Sequence, residues 1–210
     1  MVVKIGKNQR VIALLLVILS ILTISYLPSF AQSERHPTSA EIQKLRQKLR
    51  QQIRDIESSG QVTDNRNLAG RQSRESFVRD WSRIDPATAP FLGEWGGYEE
   101  SLAVYPSNTR GRVCLIYIGI QAADFSLGNI SNGVIRTSDR EVILKEGEYL
   151  GIGVVMNNQP DIPVAVPYHF STVLQPPREF AKLSAATTQE IEAVVRKFNE
   201  SGCKIGLPSR

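Results

Sequence analysis

Between residues 102 and 174 the apolar residues fall into short runs, and the gaps between successive runs are only a few residues long. That spacing constrains the fold more than any other feature. Parallel neighbours in a sheet need a crossover of a dozen residues or more, whereas antiparallel neighbours need only a tight turn. The gaps also carry turn chemistry. Asn132-Gly133 separates an apolar run at 125–130 from one at 134–136, and an Asn-Gly pair is the strongest short hairpin signal. Glu146-Gly147-Glu148 separates 142–144 from 149–156, and 106–111 separates 102–105 from 113–118. The run at 113–118 is apolar without alternation, as in a strand covered on both faces. After a further turn at 157–161, residues 162–174 read as extended, but Pro163 and Pro167 remove ladder donors and confine that stretch to an edge. The prediction is an antiparallel body of about six strands, closed or half-closed into a β-barrel or sandwich.

Helices flank this body. Thr38-Ser39-Ala40-Glu41 has the form of a capping box, and Ile42, Leu45, Leu49, Ile53 and Ile56 follow at steps of three and four. They predict an amphipathic helical arm over 38–58. Its narrow apolar stripe suits either packing on its own domain or docking onto a protein partner or an anionic surface. Residues 59–75 are polar and read as a flexible linker. Phe77, Val78, Trp81 and Ile84 predict a short helix stopped by Asp85-Pro86. Thr187 or Thr188 caps a last helix with Ile191, Val194, Val195 and Phe198 on one face, ending at Gly202. The fold class is therefore α+β: a β-rich domain over 76–210 with a C-terminal helix packed on it, preceded by the arm. A length of 210 residues suits one domain with appendages.

Ahead of the arm, Lys4, Lys7 and Arg10 precede an apolar stretch over 11–27, followed by Pro28 and Ser29-Phe30-Ala31. A charged start, an apolar run and small residues before a cut are the marks of a secretory signal. Residues 1–31 are read as that signal, cleaved after Ala31, and the protein as exported to a periplasm or the extracellular space. The alternative is membrane anchoring by residues 11–27, at the short end of what spans a bilayer core of about 30 Å. The leader carries three of the positive charges behind the formal net charge of +4. Residues 32–83 hold eleven Lys/Arg against seven Asp/Glu, and 84–210 hold eleven against fourteen. No concentrated basic surface or recognition motif accompanies them, which excludes nucleic acid as a partner.

The two cysteines, Cys114 and Cys203, both lie in the predicted exported part, and an oxidising compartment permits a bridge between them. A buried Cys114 with Cys203 free is the alternative. Other chemistry is sparse. His36 falls in the tail and His169 stands beside Tyr168 in the edge stretch, with Ser101 or Ser171 as conceivable nucleophiles but no sharp-turn nucleophile motif. Neither a metal site nor a cofactor is predicted, since His169 and two bridged cysteines do not make a zinc ligand set. The carboxylates at Glu99-Glu100, Asp139/Glu141 and Glu146/Glu148 read as solvated turns, with residues two apart sharing a face.

Aromatic density is the sharpest signal. Phe91, Trp95 and Tyr98 fall among Gly93, Gly96 and Gly97, which would let a flat ligand or another backbone approach the rings. The Gly93-x-Trp95 step resembles the opening of lipocalin-type barrels, where the resemblance implies a tryptophan that closes one barrel end. It covers three residues, and no binding residue is carried over from it. Trp95, Tyr98, Tyr168 and His169 are the candidate ligand-binding residues. Ile42, Leu45, Leu49, Ile53 and Ile56 are the candidate protein-docking stripe. The functional expectation is an exported, non-enzymatic binding or scaffolding module of the cell envelope. The alternative is a hydrolase of an envelope polymer that uses His169 and a nearby carboxylate.

Overall fold

A computed structural model describes residues 33–60, 67–97, 100–165 and 174–207. The predicted leader, the middle of the predicted linker, Tyr98, Tyr168 and His169 lie outside the described residues. The short apolar runs form nine strands: β1 (Gly93–Gly96), β2 (Ser101–Pro106), β3 (Arg112–Ile118), β4 (Ala123–Ser131), β5 (Val134–Thr137), β6 (Val142–Glu146), β7 (Tyr149–Met156), β8 (Gln159–Asp161) and β9 (Val164–Ala165). Each pairs antiparallel with the next from β1 to β8, and β9 returns to β7. Because Leu150 pairs with Lys145 on one side and Ala165 on the other, β8 and β9 share one edge of β7 and fill a single position. The sheet thus has eight positions, curled into a half-barrel. It exceeds the predicted six because β1 and β8, at four and three residues, are too short to show a period. At the hairpin tips Asn132 (φ 52°) and Gly133 (φ 68°) take the left-handed conformation that the Asn-Gly pair foretold.

Residues directly opposed in an antiparallel ladder share a face. One face carries the row Trp95, Leu102, Tyr117 and Asp124, and beyond it Ile135, Ile143 and Ile152. The Lys145 ammonium on β6 reaches within 5.5 Å of the Trp95 ring centroid on β1, so this is the inner face of the curl. The outer face carries Tyr105, Cys114 and Leu127 in one row and Val134, Leu144 and Gly151 in another.

Helices cover the outer face in two halves. Helix α1 (Ser39–Ser59) begins at the predicted capping box, where the Thr38 hydroxyl accepts from Glu41 N–H and the Glu41 carboxylate accepts from Thr38 N–H. Its Ile42, Leu45 and Leu49 are buried against Val134, Val142, Leu144 and Ile162. Arg46 and Arg50 both pair with Glu146, and Lys48 with Asp161, which fixes the helix along β6 and β7. Two glycines make the seat: a Cβ at Gly151 would lie 2.9 Å from the Leu49 methyls, and one at Gly153 would lie 2.8 Å from a Leu45 methyl.

Helix α2 (Leu68–Ser82) starts inside the stretch predicted as linker. The Asn67 side chain caps it by accepting from Gly70 N–H at 2.8 Å. Leu68 is exposed, and no apolar period appears before Phe77, so the first turns left no trace in the pattern. Phe77 and Trp81 enter the main core together with Phe91, which lies in a short 3-10 turn (Ala89–Phe91).

The other half of the outer face is covered by α3 (Pro177–Ala181) and α4 (Thr188–Glu200). Phe198 meets Tyr105 edge to face, with ring centroids 5.0 Å apart. The predicted disulfide is formed, Cys114 to Cys203, and joins the middle of β3 to the end of α4. Backbone bonds from Asn108 N–H to Gly202 O and from Lys204 N–H to Pro106 O hold the same end beside the β2–β3 turn. At the entry of the described chain, Glu34 N–H donates to Val155 O at 3.0 Å and Val155 N–H to Ser33 Oγ at 3.1 Å. Among the described residues no helix is long and apolar enough to cross a membrane.

Candidate functional site

Trp95 sits on β1 facing into the curl and is fully buried. Its indole N–H donates to Phe91 O at 2.9 Å. Two cations lie over its ring: the Arg74 guanidinium from α2 at 5.7 Å and Lys145 from β6 at 5.5 Å. A cation over an indole is held by the ring quadrupole, and more strongly once water is excluded. Arg74 also pairs with Glu148 at 2.8 Å. Burial depresses the Lys145 pKa, Arg74 depresses it further, and Glu148 works in the opposite direction. A ligand could stack on Trp95 only by displacing this arrangement, so of the predicted aromatic platform the described part is packed interior.

On the opposite face of the same strands, Gln175 is held by three hydrogen bonds. The Glu94 carboxylate accepts from both the backbone and the side-chain N–H of Gln175 at 3.0 Å, and the Tyr105 hydroxyl donates to Gln175 O at 2.9 Å. These bonds anchor the C-terminal flank of the segment that contains Tyr168 and His169. The N-terminal flank is β9, paired to β7.

Further along the same row the inner face is acidic, and here the structure assembles residues that the sequence pattern did not bring together. The Tyr117 hydroxyl donates to Glu141 Oε2 at 2.8 Å. Glu141 closes the β5–β6 turn, where its O accepts from Thr137 N–H and its N–H donates to Thr137 Oγ1. Burial pushes the Glu141 pKa up to about 7; the Tyr117 bond opposes the shift, and Asp139, Glu100 and Asp124 add to it by repulsion. Burial raises the Tyr117 hydroxyl as well, and Glu141, Asp139 and Asp124 add to the shift. The expectation of a solvated turn therefore fails at Glu141. The available signal was parity: Glu141, Ile143 and Lys145 alternate onto one face, and Ile143 and Leu144 are both apolar, so neither face of β6 is open.

No family model, curated protein or solved structure matches this chain. The site is therefore read from its own chemistry. A carboxyl with a pKa near neutrality can exchange a proton at physiological pH and can receive a cation. Among the described residues, no three His, Cys, Asp or Glu side chains stand close enough to hold a metal ion.

Proposed function

We propose that this chain is an exported, non-enzymatic binding or scaffolding module of the cell envelope. The observation that carries the proposal is the Cys114–Cys203 disulfide, which ties the middle of the sheet to the last helix. Structural disulfides persist in oxidising compartments and are rare where thiols are kept reduced. The charged and apolar order of residues 1–31 supports the same reading. As for the proposed docking stripe, Ile42, Leu45 and Leu49 already have the chain's own sheet as partner, Ile53 is half-buried against the same cluster, and Ile56 is half-buried at the far end of α1. A hydrolase using His169 and a nearby carboxylate is the second reading. It draws support from Glu141, whose pKa near 7 is what general acid–base catalysis needs.

The test is to express the full chain in a bacterial host and recover it by fractionation. A product in the envelope or medium that begins at Gln32, with both cysteines inert to alkylation until reduced, supports export. Recovery from the cytosol as the full-length chain with two free thiols overturns it. Native mass spectrometry of the exported protein then separates a bound small molecule from a protein partner.

A further inference from the structure

Two successive residues of the β5–β6 turn, Arg140 and Glu141, serve different neighbours. Glu141 accepts from the Tyr117 hydroxyl on β3 at 2.8 Å, and Asp139 in the turn, Glu100 ahead of β2 and Asp124 on β4 stand near enough to repel it. Among the described residues no cation pairs with Glu141. The Arg140 guanidinium reaches instead to the start of the described chain and donates to Glu34 O at 2.7 Å, while Arg136 on β5 donates to Pro37 O at 3.2 Å. Thr137 N–H donates to Glu141 O and Arg140 N–H to Thr137 O, so Arg140 and Glu141 move together. The entry segment completes an edge. Strand β6 begins at Val142, opposite Gly153, and the next β7 residue whose backbone groups point to that side is Val155, past the end of β6. Ser33 Oγ and Glu34 N–H meet those groups, and the Glu34 carboxylate accepts from Asn157 N–H at 3.1 Å.

We propose that the β5–β6 turn is a pH-sensitive clasp: ionisation of Glu141 among Glu100, Asp124 and Asp139 loosens the turn, Arg140 lets go of Glu34, and the Val155 edge of β7 opens. Repulsion supplies the force. A half-buried carboxylate beside three others, with no cation to offset them, is stabilised by moving into water. The folded pKa of about 7 puts the change below and around neutrality. The charges on the entry side act in the opposite sense. Burial depresses the His36 pKa, and Arg136 and Arg140 depress it further, so its protonation loosens the same contact as pH falls. Arg35, the other cation of the segment, is paired with Glu41 at 2.7 Å. Opening therefore follows Glu141 as pH rises, with His36 working against it.

The test is amide hydrogen exchange at Glu34 and Val155, followed by NMR on the protein as recovered and corrected for intrinsic rates. Protection of both is expected to fall about five- to tenfold from about pH 6 to about pH 8. E141Q should abolish that fall, and H36Q should keep it and deepen it. R140Q cuts the link between turn and entry segment, so Glu34 should be poorly protected at both pH values. Ile116, in the middle of β3, should exchange far more slowly throughout, because the opening is local. Flat protection at Glu34 in the wild type, a fall that survives E141Q, or exchange of Glu34 as slow as that of Ile116 overturns the clasp. Should E141Q unfold, R140Q decides, and a fall at Glu34 that persists without the Arg140 contact overturns the proposal. None of these outcomes depends on where the chain resides or what it binds, so failure here leaves the module reading standing.

Discussion

Glu141 shows how one side chain couples the fold to pH. Its folded pKa of about 7 lies above the ordinary carboxyl value. Between those values the native chain binds more proton than the unfolded chain, so stability falls as pH rises. The favourable contribution is complete below the ordinary value of about 4.3 and is lost as pH passes the folded value. At about 1.4 kcal/mol per pKa unit the loss is on the order of 3 kcal/mol. Glu141→Gln keeps the shape and removes the charge. Its thermal midpoint is expected to exceed wild type by about 6 to 12 °C at about pH 8, with a much smaller difference at about pH 5. Melts at the two pH values check this, and an equal shift at both would show that ionisation is not the cause. Residue-scale chemistry of this kind was only half legible. Tyr117 reads as one more member of an apolar run, and Glu141 as a turn residue, until the curl sets one against the other.

At the scale of the element, α1 was visible in outline and its destination was not. The capping box and the stripe are local, since both follow from side chains three and four residues apart. What the stripe covers depends on Gly151 and Gly153, more than a hundred residues away in sequence, which leave room for Leu49 and Leu45. At Gly153 a new methyl group would also lie 2.9 Å from a Val142 methyl, which is held on a stiff β-branched side chain. Gly153→Ala is therefore expected to cost about 1 to 3 kcal/mol through overpacking. Leu45→Ala alone is expected to cost about 2 to 5 kcal/mol. The two together should cost less than their sum, because the shortened side chain vacates the space the new methyl group needs. Urea titrations of the three variants measure the coupling, and strict additivity would show that α1 is not seated on Gly153. The start of α2 lay hidden for the opposite reason, since its capped first turns bury too little to leave a period.

Across the whole molecule, the disulfide closes a long loop, joining cysteines at a sequence separation of 89. In the chain-entropy account such a link contributes about 4 to 5 kcal/mol, and measured losses are about 2 to 5 kcal/mol. C114S/C203S is expected to unfold at lower temperature yet keep α4 docked. Phe198 still meets Tyr105, and Lys204 N–H still reaches Pro106 O. Calorimetry gives the first quantity, and hydrogen exchange over 188–204 gives the second. Loss of protection there without a change in the rest of the sheet would show that the covalent link alone holds the helix.

The sequence by itself determined the elements whose causes are local: runs too close for parallel pairing, the left-handed Asn132-Gly133 turn, the capping box of α1, a threonine cap for α4 and the pair of cysteines. Tertiary structure alone decided which faces are covered. It set Lys145 and Arg74 over Trp95, and Tyr117 against Glu141. Each of those meetings depends on how far the sheet curls and on where a distant helix comes to rest. Periodicity records the face of a residue, and only the closed geometry supplies what that face meets.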